Sequence, residues 1–375
     1  MIPFAMRIAV GLAIASCLAL PAVAQKADAK LQEGAVELQS IGPIAFGPEH
    51  TLFVSDPIGA KLYAIDVQGV KSAGFEKGST VEDLGGKLAA RLGAEARDVH
   101  VVDLAVNPAT HQVILAVQRG QGAGTPILMS VDPSGELSEI SLKSIGHSSI
   151  ELTNAPAPGE QGEGRRRSNP RLQTFTDVAY VDGQVVVAGL SNEEFASTLR
   201  TIPYPFQKAS EGTGIEIYHG AHGRFETNSP VRTFVPFDIA GEPHLLAAYT
   251  CTPLVSLPVS DLVPGKRVRG TTIAELGNRN SPLDMVTYQK GENSYLLIAN
   301  TSRGIMKVAL SSLDRKEGLE SITSRVEGGD TAGVPYETIE SLQGVEQLAQ
   351  LDAQHAVIVV RDDAGKFSIQ VIDLP

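Results

Sequence analysis

A chain of 375 residues with a formal charge of −12, two Cys and no Trp already excludes several classes. Its acidic balance repels phosphate backbones, so nucleic acid is not an expected partner, and 5% aromatic content without Trp argues against a surface built for sugar stacking. A 25–375 remainder is long enough for one large all-β domain with a sizeable core.

Residues 1–24 read as a secretory signal. Arg7 supplies a positive start, Ile8 to Leu20 an apolar stretch, and Ala22-Val23-Ala24 the small residues before a cleavage site at Gln25. Ile14-Ala15-Ser16-Cys17 loosely fits a lipid-attachment box, but the apolar stretch runs on past it. The stretch is short for a span of about 20 residues, and no later segment qualifies as transmembrane. The expected location is periplasmic or secreted, with a mature charge of −13 once Arg7 is gone. Cys251 is then the sole thiol, so no internal disulfide is available and the apolar core must hold the fold.

Along the mature chain one grammar returns six times: a short strand, a nearly continuous apolar strand, and an alternating strand. It begins with Pro43 to Phe46, Leu52 to Val54 and Leu62 to Asp66, and then with Asp103 to Val106, Val113 to Val117 and Ile127 to Asp132. A third unit is Asp177 to Tyr180, Val185 to Ala188 and Ile215 to Tyr218. The fourth is Thr233 to Phe237, Leu245 to Tyr249 and Leu254 to Leu257; the fifth is Asp284 to Thr287, Tyr295 to Ala299 and Ile305 to Val308. The sixth is Gln347 to Ala349, Val357 to Val360 and Phe367 to Ile372. Inner strands buried on both faces and half-exposed outer strands give this order, which predicts an all-β, six-bladed β-propeller. The spare segment Ala35 to Leu38 is expected to close the last blade as its missing strand. Only Asp83 to Gly93 reads as helix, too little for a parallel α/β sheet. Two segments stand outside the repeat: Ala155 to Pro170, a solvated or disordered loop holding Arg165-Arg166-Arg167, and a long loop, Ser191 to Gly212.

The first unit, with Phe53-Val54-Ser55-Asp56 and Leu62-Tyr63-Ala64-Ile65-Asp66, resembles blades of NHL-type and gluconolactonase-like six-bladed propellers, most clearly over residues 40–66 and 100–132. Gluconolactonase-like members hold a divalent cation on the axis through a first-blade Glu with Asn and Asp from later blades. Here Ser40-Ile41-Gly42-Pro43 has no Glu, so that ligand set is not reproduced.

In such a ring the starts of the inner strands and the loops joining second to third strands open at one end. That end is expected to gather Asp103, Asp177 and Asp284, as catalytic or metal-binding candidates. Asp56, Arg119, Asn192, Glu193, Glu194, Arg200, Cys251, Asn300, Arg303 and Arg361 are expected there as ligand-binding candidates. Three Asp near an axis repel unless a cation, a proton or an Arg intervenes, and a hard cation such as Ca²⁺ would satisfy them; equally, each Asp would close a turn by accepting backbone amides. Arg119, Arg303 and Arg361 would clamp a carboxylate or phosphate, or pair with those Asp. Cys251 is a nucleophile, a soft-metal ligand or a small buried hydrophobe. His219 and His222, with Glu226, form a weaker set for Zn²⁺ or Cu²⁺, expected at the opposite end. Three functions follow: binding of a small polar ligand or cation in the central pocket, a metal-assisted hydrolase or lactonase, or a scaffold docking a protein through the Arg-rich loop.

Overall fold

The computed structural model describes residues 31–375 except 160–167, 209–210, 251–252, 278, 312, 314–316, 322, 324 and 328–329. The signal segment, Arg165 to Arg167 and Cys251 therefore lie outside the described residues. Among the described residues no helix is long and apolar enough to cross a membrane.

Six sheets, antiparallel but for one short parallel edge pairing in the third, form the fold, numbered here I to VI by their inner strands. Those inner strands are Ile44–Phe46, Val99–Val106, Asp177–Val181, Val231–Ile239, Pro282–Lys290 and Val345–Gln350. Each is followed by a second strand with little polar surface. Leu245, Leu246 and Ala247 in blade IV and Leu296, Leu297 and Ile298 in blade V are wholly buried, which is why these strands read as unbroken apolar runs.

Six hydrophobic clusters, each shared by two neighbouring blades, fix the order around the axis. Leu52, Val54, Ala105 and Ile114 join I to II, and Phe53, Leu62, Val178 and Val185 join I to III. The other four join III to IV, IV to V, V to VI and VI back to II. The ring therefore runs II, I, III, IV, V, VI, with the first two blades transposed relative to the chain.

The strand pairing explains the transposition. After its third strand, Lys61–Asp66, the chain leaves blade I and places Thr80–Val81 on the outer edge of blade VI, against Ile369 and Gln370. It then builds all of blade II and returns to blade I, where Ile145–Glu151 pairs with Lys61–Asp66 as the fourth strand. The N-terminal strand Gln32–Gly34 adds outside it. The last blade is thus closed by an early segment, but by residues 80–81 and not by residues 35–38. In blade III the expected long loop contains a strand: Ser197–Pro203 pairs along the whole of Gln184–Leu190. The segment read as the third strand, Thr213–His219, is the fourth, so the His pair at its end lies at the same end of the ring as the inner-strand starts, on the outer rim.

The one α-helix among the described residues, Leu84–Leu92, ends on Gly93, whose φ of 60° suits the left-handed cap. Its Leu84 and Leu88 are wholly buried in the cluster that joins blade VI to blade II. Replacing Leu88 by Ala should cost about 2–5 kcal/mol of stability by leaving a cavity at this closure. Urea unfolding checks this, and a cost below about 1 kcal/mol would show that the helix does not hold the seam.

Candidate functional site on the propeller axis

The inner strands leave a cavity of ≈ 370 Å³ at their starting end. One residue from each blade reaches it: Pro43, Asp103, Asp177, Thr233, Asp284 and Gln347. Four of these strands carry a bulge just before that position, with Val102, Arg232, Leu283 and Glu346 as the extra residues. A bulge bends a strand and re-aims its side chains, and Val102, Arg232 and Leu283 line the cavity too. A larger concavity of ≈ 430 Å³ on the flank of blades I and II brings together only two carboxylates, Asp66 and Glu139, beside Lys71.

The three Asp make one repeated contact. Asp103 Oδ2 accepts from the Ile44 N–H at 2.7 Å and Oδ1 from the Leu104 N–H at 2.8 Å. Asp177 does the same with Phe234 at 2.7 Å and Val178 at 2.7 Å, and Asp284 with Leu348 at 2.8 Å and Met285 at 2.8 Å. Each therefore staples its own blade to a neighbour: II to I, III to IV, V to VI. Staple-bearing and staple-receiving blades alternate strictly around the ring. Gln347 closes another seam by donating from Nε2 to the Val102 carbonyl at 3.1 Å.

Burial pushes the Asp103 and Asp177 carboxyls up to about 7, against the pull of their backbone donors. Asp284 is raised well above the ordinary carboxylate value by burial and then by the charges of Asp103 and Asp177. The set holds protons at neutral pH and can present O–H donors as well as carboxylate acceptors to the cavity. Burial alone lowers the Arg232 guanidinium from its ordinary value.

Outside this set the ligand-binding candidates do not converge, and none of the described ones lines the axial cavity. Asp56 is buried and fastens the N-terminal segment, accepting from Gln39 N, Ser40 N, Ser40 Oγ and Gly59 N. Arg119 is exposed and donates to the Leu92 carbonyl, whereas Arg361 forks onto Glu346 and stacks on Phe367. Asn300 is buried among Asn280, Ile298 and Gly304, and Arg303 packs on Gly277. Asn192 is exposed, Glu193 accepts from Asn154 at 2.5 Å, and Glu194 accepts from Arg267 at 2.6 Å. Arg200 is buried within its strand and donates to the Thr153 carbonyl at 2.7 Å.

Sequence reasoning passed over Arg232, Gln347 and the wall segment Leu172 to Thr176. The segment begins within a 3₁₀ turn, Pro170–Gln173, pinned by Arg171 to the Ile58 and Pro156 carbonyls at 2.9 Å each. It presses so closely on blade III that a Cβ on Gly189 would lie 2.0 Å from the Thr174 carbonyl oxygen. The readable signal for Arg232 and Gln347 was their register beside the Asp positions; the bulges that turn the neighbours inward leave no mark in composition.

No protein-family model matches the chain, and no curated protein matches it. Among solved structures it is similar to a putative oxidoreductase (glucose dehydrogenase) of Thermus thermophilus, at 11% identity and a TM-score of 0.35 over 91% of this chain and 100% of that one. It is also similar to the PQQ-bound aldose sugar dehydrogenase of Streptomyces coelicolor, at 10% identity and a TM-score of 0.30 over 92% and 96%. A chain of a mitotic checkpoint complex matches at 10% identity and a TM-score of 0.37 over 95% and 98%. At such scores none of those descriptions is a basis for this chain's activity.

The raised carboxyls fix the sign of a pH effect. Unfolded Asp titrates near 3.8 and folded Asp103 and Asp177 near 7, so the native state binds the extra protons between those values. Their contribution to stability is complete below about pH 4 and is lost as pH rises through about 7. Thermal unfolding followed from about pH 4.5 to about pH 7.5 should show this decline, and the double variant Asp103→Asn/Asp177→Asn should flatten it. An equal slope in the variant would refute the assignment.

Proposed function

We propose that this chain is an exported binding propeller that takes a small polar ligand or a cation in its axial cavity. The convergence of Asp103, Asp177 and Asp284 on one cavity carries the reading. Each of their oxygens accepts one backbone amide and has further acceptor capacity, part of which Asp177 gives to the Thr233 hydroxyl. A protonated or partly protonated set suits hydroxyl and ammonium groups, and Arg232 on the wall suits an acidic group of the same ligand.

The cation is better hydrated or organic than bare. Among the described residues the oxygens of the three Asp do not form a group all within 4.8 Å of one another, whereas direct ligation of one Ca²⁺ needs oxygens at about 2.3–2.6 Å from it. A metal-assisted hydrolase or lactonase is the second reading. It is favoured by carboxyls near 7, which are poised to exchange protons at neutral pH.

Thermal-shift titration with calcium, polyols, amines and hydroxy acids tests the binding reading. A true ligand at about 100 times its Kd stabilises by about 2.7 kcal/mol, and Asp103→Asn/Asp284→Asn should remove that shift. A ligand whose shift survives the double variant binds elsewhere. Arg232→Gln should weaken acid-bearing ligands alone. Export has its own check: cell fractionation followed by N-terminal analysis should return a chain that starts at Gln25, and an intact Met1 in the cytoplasmic fraction would overturn it.

A further inference from the structure

On the outer rim, in the hairpin of Thr213–His219 and Arg224–Glu226, one carboxylate holds two imidazoles. Glu226 Oε2 lies 2.9 Å from His219 Nδ1 and Oε1 lies 2.7 Å from His222 Nδ1, with Arg224 Nε also 3.1 Å from Oε1. The two rings are 4.0 Å apart. Among the described residues this is the one group of three His, Cys, Asp or Glu whose ligand atoms all lie within 4.8 Å of one another.

The far side of His219 presents a second observation. Its Nε2 faces Glu275 Oε1 of blade IV across 3.9 Å, with side-chain exposures of 3% and 0%, and both atoms lack a hydrogen-bond partner. Glu275 Oε2 is held by the Gly220 N–H at 2.9 Å. Leaving a buried polar atom unpaired is destabilising, and here two such atoms face each other. The cause is the tautomer. An ionised Glu226 only accepts, so His219 must donate from Nδ1, which leaves a bare lone pair on Nε2 opposite a carboxylate oxygen.

We propose that His219 Nδ1, His222 Nδ1 and Glu226 bind one Zn²⁺, and that Glu275 is the positioning carboxylate behind His219. Two imidazoles and a carboxylate are a zinc ligand set, and the fourth place is open to water. With Nδ1 on the ion, the His219 proton resides on Nε2 and points at Glu275 Oε1, the outer carboxylate that zinc-bound histidines ordinarily have. Zinc thus pairs both orphaned atoms at once. The proton that His222 shares with Glu226 passes by exchange with solvent to the His222 Nε2, the side chain being 47% exposed, so both imidazoles stay neutral. Arg224, 72% exposed, releases Glu226 outward. Because Glu275 belongs to Thr271–Glu275, the ion would also tie blade III to blade IV. This site is independent of the axial cavity.

Calorimetric titration of metal-stripped protein with ZnCl₂ should give one ion per chain. His222→Ala should abolish binding, and His244→Ala, on the other side of blade IV's second strand start, should leave it unchanged. Glu275→Gln should keep the stoichiometry and lower affinity about 10–100-fold. Histidine ¹⁵N spectra supply a readout that folding alone does not move: zinc should transfer the His219 proton from Nδ1 to Nε2. Substoichiometric binding, equal loss in His244→Ala, undiminished binding in His222→Ala, or a His219 that keeps its Nδ1 proton with zinc bound would each overturn the proposal.

Discussion

Every blade of this ring has two apolar faces, and only its two neighbours can cover them. That constraint governs the rest of the molecule. A sheet whose second strand is Val113–Arg119 or Asn293–Asn300 cannot meet water on either side, so the sheets must close into a ring and the ring must have no gap. The six inter-blade clusters meet this demand around the whole circumference. Backbone polarity at the crowded inner edge has to be satisfied locally, and the Asp staples do so at alternate seams. The same geometry that makes those carboxylates structural also buries them, which raises their proton affinity. Structure and candidate chemistry share one set of atoms.

Much of the architecture was legible because burial on two faces leaves a plain sequence signature. Val185 to Ala188 and Val357 to Val360 are runs that few other environments tolerate, and the spacing of such runs gave the number of blades. Ser197–Pro203 escaped notice because it carries Thr198, Arg200 and Thr201, and a buried Arg in a strand is made tolerable only by tertiary partners such as the Thr153 carbonyl. Thr80–Val81 is too short for any periodicity to register. Its pairing partners, Ile369 and Gln370, lie at the other end of the chain.

The site was legible in part for a related reason. Asp103, Asp177 and Asp284 recur in register, and register sets which residues share an end of a ring. Charged loop residues have no such constraint. Arg361 reaches Glu346 and Arg119 reaches the Leu92 carbonyl, because long side chains at loops find the nearest acceptor and not the axis. Periodicity alone puts the His219 cluster at the wrong end, because one missed strand reverses the direction of the next.

The interleaving of the first two blades bears on how such a protein can change. Blade I is made of two pieces of chain that bracket all of blade II, and blade VI borrows its last strand from the link between them. Blades III, IV and V draw their main strands from successive stretches, with two short edge exchanges: Arg267–Arg269 of the blade IV stretch adds parallel to blade III, and Ala332–Gly333 of the blade V stretch adds to the edge of blade IV. Duplication or loss of a module in that half of the ring disturbs only these short edge pairings besides the joint itself. In the other half it would require coordinated rejoining at several points, so variation in blade number is channelled away from the seam where the ring is locked.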